Sequence, residues 1–279
     1  MDVLRAKHAG ACYGVGRALD LAQEASCAQG VVCTLGPLIH NPHVVESLER
    51  QGVFVAPDVD SVPDGATVVI RSHGVTPDVM RAVSAKAGEV IDATCPFVQR
   101  AQVGAEELAA RCGCVLVVGE SGHPEVEGLV ARAKEAQAHV CVVSSVNDIP
   151  DDLPQPVGIV VQTTQRSENL NSVIDALRAR GIAPEVKNTI CTATRKRQDA
   201  AASLAQKVDA MVVIGGRNSS NTTRLAEICK ARCAKSFHIE SAEEIDPAWF
   251  EGVDTVGVTA GASTPDDQIK AVEDFLVTL

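Results

Sequence analysis

Apolar residues in this chain fall in short unbroken runs: VVCTL at 31–35, VFVA at 53–56, TVVIR at 67–71, EVID at 89–92, CVLVV at 114–118, HVCVV at 139–143, VGIVV at 157–161, AMVVI at 210–214, SFHIE at 236–240 and TVGVT at 255–259. Runs of this length, rich in Val and Ile and without strict alternation, predict strands covered on both faces. The stretches between them repeat apolar residues at helical spacing. They carry the punctuation of helices: Pro42 suits a first turn that Gly52 later stops, and Gly181 closes a helix over about 167–180. Strictly alternating strands and helices predict mostly parallel sheets.

The pattern recurs three times at a period of about 90 residues, too long for a solenoid repeat. Cys12 precedes a helix of about 14–28, the strand 31–35 and then His40, 28 positions after the cysteine. Cys95 precedes a helix and a strand, with His123 again 28 positions on; Cys191 stands in the same relation to Ser219. A later strand of each copy ends in a polar turn, carrying His73, then Thr163 and Thr164, then Ser263. The expected fold is therefore α/β, with three similar domains related by pseudo-threefold symmetry, a trefoil around a central cavity. Their expected bounds are 13–94, 95–189 and 190–279; residues 1–12 lead into the central site, and a short strand at 2–6 opens the first unit. Every position singled out follows the carboxyl end of a strand, where parallel sheets bind ligands.

Composition narrows the function. With 279 residues and a formal charge of −11, the chain has no basic run longer than Arg195-Lys196-Arg197, which argues against a nucleic-acid surface. No stretch has membrane-spanning length and the N-terminus lacks a signal-peptide pattern, so the expected location is the cytoplasm, away from membranes. Of ten cysteines, seven (27, 33, 112, 114, 141, 229 and 233) fall in strand-like or helix-like segments and read as small buried hydrophobes. Cys12, Cys95 and Cys191 each lie between a strand and a helix.

Three soft sulfur ligands from three copies suit an iron–sulfur cluster with one iron lacking a protein ligand, or a zinc site of three thiolates; spacing alone also permits unrelated turn cysteines. The turns at His40-Asn41-Pro42, His123-Pro124-Glu125 and Ser219-Ser220-Asn221 each precede a helix, whose free N–H groups and dipole attract phosphate. Glu125, beside bound phosphate, would hold its proton and act as a general acid, with Thr163 or Thr164 bonding the reacting group or relaying the proton. Gly14-Val15-Gly16 imitates a dinucleotide fingerprint, but Leu19 takes the third glycine position, so a nicotinamide site is rejected.

CYGVGRA at Cys12, GPLIHNP, RSHGV, DATCP, GHPEVEG, VQTT, ICTAT, NSSN and VTAGAS occur in this order along essentially the whole chain, and in this combination the sequence resembles the LytB family of reductases. The resemblance implies one 4Fe-4S cluster held by Cys12, Cys95 and Cys191, with an open iron. It places His40, His73, His123, Thr163, Thr164, Ser219, Ser220, Asn221 and Ser263 around a diphosphate substrate. The implied catalytic residues are Glu125 as proton donor, Thr163 beside the substrate hydroxyl, and His123. The implied reaction, last in the methylerythritol phosphate route to isoprenoids, is reductive loss of the hydroxyl of (E)-4-hydroxy-3-methylbut-2-enyl diphosphate. It yields isopentenyl and dimethylallyl diphosphates and water, with electrons from a one-electron donor of the ferredoxin or flavodoxin class. Independently of the resemblance, Arg195-Lys196-Arg197 reads either as a basic docking patch for such a donor or as a plain solvated helix start. The competing readings are another three-domain 4Fe-4S enzyme such as quinolinate synthase, a zinc hydrolase with three cysteine ligands, and a non-catalytic phosphate-binding module.

Overall fold

A computed structural model describes residues 1–27 and 30–279; Ala28, the expected end of the first helix, lies outside them. The chain forms β1 (Asp2–Arg5), α1 (Tyr13–Ser26), β2 (Val32–Leu35), α2 (Pro42–Arg50), β3 (Val53–Ala56), β4 (Thr67–Ile70), α3 (Pro77–Lys86) and β5 (Glu89–Asp92). It continues through α4 (Pro96–Ala109), β6 (Cys114–Val118), α5 (Pro124–Glu135), β7 (His139–Val143), β8 (Val157–Val161), α6 (Ser167–Ala179) and β9 (Glu185–Lys187). The remainder is α7 (Thr192–Ala205), β10 (Ala210–Ile214), α8 (Ser220–Lys230), β11 (Ser236–Ile239), β12 (Thr255–Ala260) and α9 (Asp266–Val277).

Among the described residues, twelve strands make three four-stranded sheets, in the orders β3-β2-β4-β5, β7-β6-β8-β9 and β11-β10-β12-β1. Every pairing among them is parallel, so the expected mostly parallel sheets are wholly so among the described residues. The three orders are one order, in which the first strand of a copy sits between the second and third, and the fourth flanks the third. The N-terminal strand departs from expectation. Rather than opening the first copy, β1 pairs with β12, Asp2 opposite Thr255, and supplies the fourth strand of the last sheet. An edge position suits it, because all but one of its four residues are solvent-exposed.

The contacts group the chain into two compact bodies. One comprises Met1–Gly16, His40–Val44 and Thr192–Leu279; the other comprises Arg17–Ile39 and Val45–Cys191. In the first body, α9 covers one face of the sheet, with Ile269, Val272 and Leu276 against Val212, Ile214, Val256 and Val258. The other face carries Met211, Val213, Ala201, Ala205 and Leu225. In the second body, the β6–β8 sheet is covered by α6 on one face and by α4 and α5 on the other. Strands β6, β8 and β10 are buried at all five positions, which accounts for their unbroken apolar sequences.

Two glycines within strands permit close approach of a helix to the sheet. A Cβ on Gly158 would lie 3.1 Å from Cys112 Sγ and from Leu108, and one on Gly257 would meet Met211 and Leu204. They occupy matching places, Gly158 opposite Val115 and Gly257 opposite Met211, each facing the second residue of the first strand of its copy.

Candidate active site

In every copy the cysteine follows the fourth strand and immediately precedes the helix leading to the next sheet: Cys12 before α1, Cys95 before α4, Cys191 before α7. The amide N–H groups of a first helical turn favour a thiolate. All three cysteines are half-buried and none is in a disulfide. The polar turns follow the first and third strands, between which the order reverses; in parallel sheets that switch point is where ligands bind.

Within the second body a continuous run of contacts joins Cys95 to Cys191. Cys95 N–H donates to the Ser72 carbonyl at 2.9 Å, beside His73. The His73 and His123 rings meet edge to face, with centroids 5.5 Å apart. His123 caps α5, its Nδ1 accepting from Glu125 N–H at 3.1 Å. Glu125 is 1 % exposed, and both its oxygens are held by Thr163: Oε1 accepts the backbone N–H at 2.6 Å and Oε2 the hydroxyl at 2.9 Å. The Thr163 carbonyl then accepts Cys191 N–H at 3.1 Å. Thr164, half-buried, follows in the same turn.

Burial pushes the Glu125 carboxyl up to about 7, with the nearby Glu120 adding to the rise, while the two hydrogen bonds from Thr163 pull it down. The result is a carboxyl group that carries a proton near neutral pH and whose ionised form already has two donors aimed at it. That is what a general acid requires.

The first body presents a polar rim of its own. Cys12 N–H donates to the Ala262 carbonyl at 3.1 Å, one residue before Ser263. The Ser263 hydroxyl donates to the His40 carbonyl at 3.1 Å, and Asn41 Nδ2 donates to the Ser263 carbonyl at 2.8 Å. Ser219 caps α8, and Ser219, Ser220 and Asn221 are all buried. Asn221 is 4 % exposed, yet neither its Nδ2 nor its Oδ1 has a hydrogen-bond partner among the described residues. A buried carboxamide without partners costs free energy unless a ligand engages it.

Arg197 corrects the sequence reading of 195–197 as an exposed patch. It is 4 % exposed and donates through Nη2 to the Gly10 carbonyl at 2.7 Å, steadying the loop that carries Cys12. The signal was present: the buried positions of α7 are Thr194, Arg197, Gln198, Ala201 and Ala205, a helical stripe containing Arg197 but neither Arg195 nor Lys196. Sequence reasoning also passed over Gln162, fully buried, whose Oε1 accepts Glu120 N–H at 2.9 Å, and Ser72, which ties Cys95 to the His73 turn. Of the seven cysteines read as buried hydrophobes, Cys33, Cys112, Cys114, Cys229 and Cys233 are buried; Cys27 is exposed and Cys141 only half-buried.

Fold and site together define a parallel α/β protein with three sheets of one strand order, a cysteine leading out of each, and a buried acid held by a polar turn. Comparison makes this specific. The chain belongs to the LytB family, matching the LytB protein sequence model over residues 3–277. The 4-hydroxy-3-methylbut-2-enyl diphosphate reductase of a Geobacter species is 50 % identical over 276 residues, 98 % of this chain and 96 % of that one. The enzyme of the same name from Trichlorobacter lovleyi is 51 % identical over 267 residues, 95 % and 94 % of the two chains. A solved (E)-4-hydroxy-3-methyl-but-2-enyl diphosphate reductase, described as the terminal enzyme of the non-mevalonate pathway, is 42 % identical, with full coverage of both chains and a TM-score of 0.72. The reductase from Plasmodium falciparum superposes with a TM-score of 0.91 at 26 % identity, over 99 % of this chain and 88 % of that one.

Proposed function

We propose that this protein is a 4-hydroxy-3-methylbut-2-enyl diphosphate reductase that takes up two electrons and two protons, one proton leaving with the allylic hydroxyl as water and the other ending on carbon, and releases isopentenyl and dimethylallyl diphosphates. The observation that carries the reading is the Glu125–Thr163 pair: a buried carboxyl pushed up to about 7 and bonded through both oxygens to one residue, whose carbonyl takes the amide of Cys191. A passive phosphate binder has no need of a buried acid poised to give up a proton; a zinc hydrolase with three cysteine ligands is told apart by its iron-free, colourless state.

Cys12, Cys95 and Cys191 hold a 4Fe-4S cluster in this proposal. Thiols outside any disulfide, half-buried at the first turns of three equivalent helices, are a soft and reduced donor set that fits it. When bound, the cluster supplies the electrons and an iron without a protein ligand. The residues do the rest. Asn221, Ser219, Ser220 and Ser263, with His40, His73 and His123, hold the diphosphate, and its remote binding energy orients the allylic carbon. Glu125 gives its proton toward the leaving hydroxyl, with the Thr163 hydroxyl as relay and Thr164 beside it. After transfer, the two Thr163 donors stabilise the carboxylate.

The electrons come from an acidic one-electron carrier of the ferredoxin or flavodoxin class. With Arg197 buried, its basic landing surface is a groove of about 500 Å³ whose lining has the Asp199 carboxylate outnumbered by basic side chains, among them Lys7, His8, Lys196 and Lys207. All four are exposed on a chain whose overall charge is −11.

Anaerobically prepared protein, given the allylic diphosphate and dithionite-reduced viologen, tests the proposal. It is expected to oxidise the dye and release both products. Activity in a colourless, iron-free preparation would overturn it.

A further inference from the structure

We infer that Cys114, His139 and Cys141 form a second, separate site for a thiophilic d10 cation, Zn²⁺ in the first instance. The donors come from the first residues of two paired strands: Cys114 stands opposite His139 and Leu116 opposite Cys141 in the β6–β7 register. The two sulfurs and a ring nitrogen all lie within 4.8 Å of one another, and Cys141 Sγ is 3.3 Å from His139 Nε2. In a tetrahedral zinc centre, Zn–S bonds of about 2.3 Å and Zn–N bonds of about 2.0–2.1 Å put the donor atoms roughly 3.5–3.8 Å apart. The Cys141–His139 pair opens slightly and small side-chain shifts complete the set. The adjustable member is available, because His139 is exposed while Cys114 is fully buried, so the cation enters from solvent and the imidazole folds onto it.

Two thiols and an imidazole suit a borderline-soft ion and disfavour Mg²⁺ and Ca²⁺, which take oxygen ligands. Water takes the fourth position. Binding releases the two thiol protons to solvent, forms two S–metal bonds and one N–metal bond, and moves no electrons.

The site is distinct from the proposed active centre. The catalytic turn leaves the carboxyl end of β6, whereas Cys114 begins that strand, about 13 Å away along four residue steps. A cation there ties the starts of β6 and β7 together. Its role is to brace the sheet whose other end carries His123, Glu125 and Thr163.

The test uses anaerobic, iron-loaded protein, so that Cys12, Cys95 and Cys191 are occupied. Chelator-treated wild type, His139→Ala and Cys141→Ser receive ZnCl₂, and zinc and iron are measured together. Wild type is expected to retain about one equivalent of zinc with unchanged iron, and to unfold a few degrees higher with saturating zinc. Both variants are expected to bind at least about tenfold more weakly, to lose the thermal shift and to keep full iron content and turnover. His139→Ala changes only an exposed side chain, so it serves if Cys141→Ser folds poorly. Equal zinc in wild type and His139→Ala, zinc uptake matched by iron loss, or a Cys114–Cys141 disulfide in the reduced preparation would each overturn the inference.

Discussion

Glu125 brings three effects to one carboxyl group. Its burial favours the neutral acid, the two Thr163 donors favour the ion, and the balance lies at about 7. Glu125→Gln keeps the shape and removes the proton, so turnover is expected to fall about 10²–10⁴-fold with substrate affinity and iron content intact. A stopped-flow assay paired with direct substrate titration separates the two; normal turnover would remove the proton-donor role. In wild type, turnover is expected to decline above about pH 7, and Thr163→Val, which deletes the pKa-lowering hydroxyl bond, should move that limb upward. Stability carries the same signature. The folded pKa lies above the ordinary value, so the proton's contribution is fully present below pH 4.5 and is lost as pH rises through about 7. Denaturant titrations from about pH 4.5 to about pH 7.5 should show this decline in wild type and not in Glu125→Gln. Asn221 makes a different prediction. Its buried amide has no partner to lose among the described residues, so Asn221→Ala should leave the melting temperature unchanged or raised while weakening binding of the diphosphate about tenfold, as read by inorganic pyrophosphate competition.

At the scale of elements, strand and helix order was legible because parallel strands covered on both faces carry uninterrupted apolar runs, and because Pro42, Gly52 and Gly181 punctuate the chain. The switch-point turns could be found for the same reason: His123, Thr163, Ser219 and Ser263 all lie just past apolar runs. Pairing was not legible. Nothing local in residues 2–5 distinguishes an edge strand of the first sheet from one of the last, since the partner, β12, is about 250 residues away. The role of Arg197 was hidden by its charge, although its helical phase with Ala201 and Ala205 pointed inward. The glycines of β8 and β12 read as ordinary strand residues until α4 and α7 are seen pressing on them. Gly158→Val should therefore destabilise the protein by about 1–3 kcal/mol through overpacking against Leu108 and Cys112, measurable by urea denaturation.

For the molecule as a whole, one strand order repeated three times, with the last copy completed by the first strand of the chain, places a cysteine at each passage from one sheet to the next. The chain is acidic overall, so the cluster of Lys7, Lys196 and Lys207 stands against its average field. Reversing these three charges should slow reduction by an acidic protein donor about tenfold at low salt while leaving viologen-driven turnover unchanged. Equal loss with both donors would argue against docking there. The function rests most heavily on the three cysteines acting as one donor set, and the direct measurement is iron and acid-labile sulfide per chain in anaerobically purified wild type and in Cys12→Ser, Cys95→Ser and Cys191→Ser, alongside Cys33→Ser as a buried control. The stoichiometry of a single 4Fe-4S cluster is expected in wild type and Cys33→Ser, and its depletion or collapse, with loss of turnover, in each of the other three. Full iron and full activity in any one of those three would contradict a shared cluster.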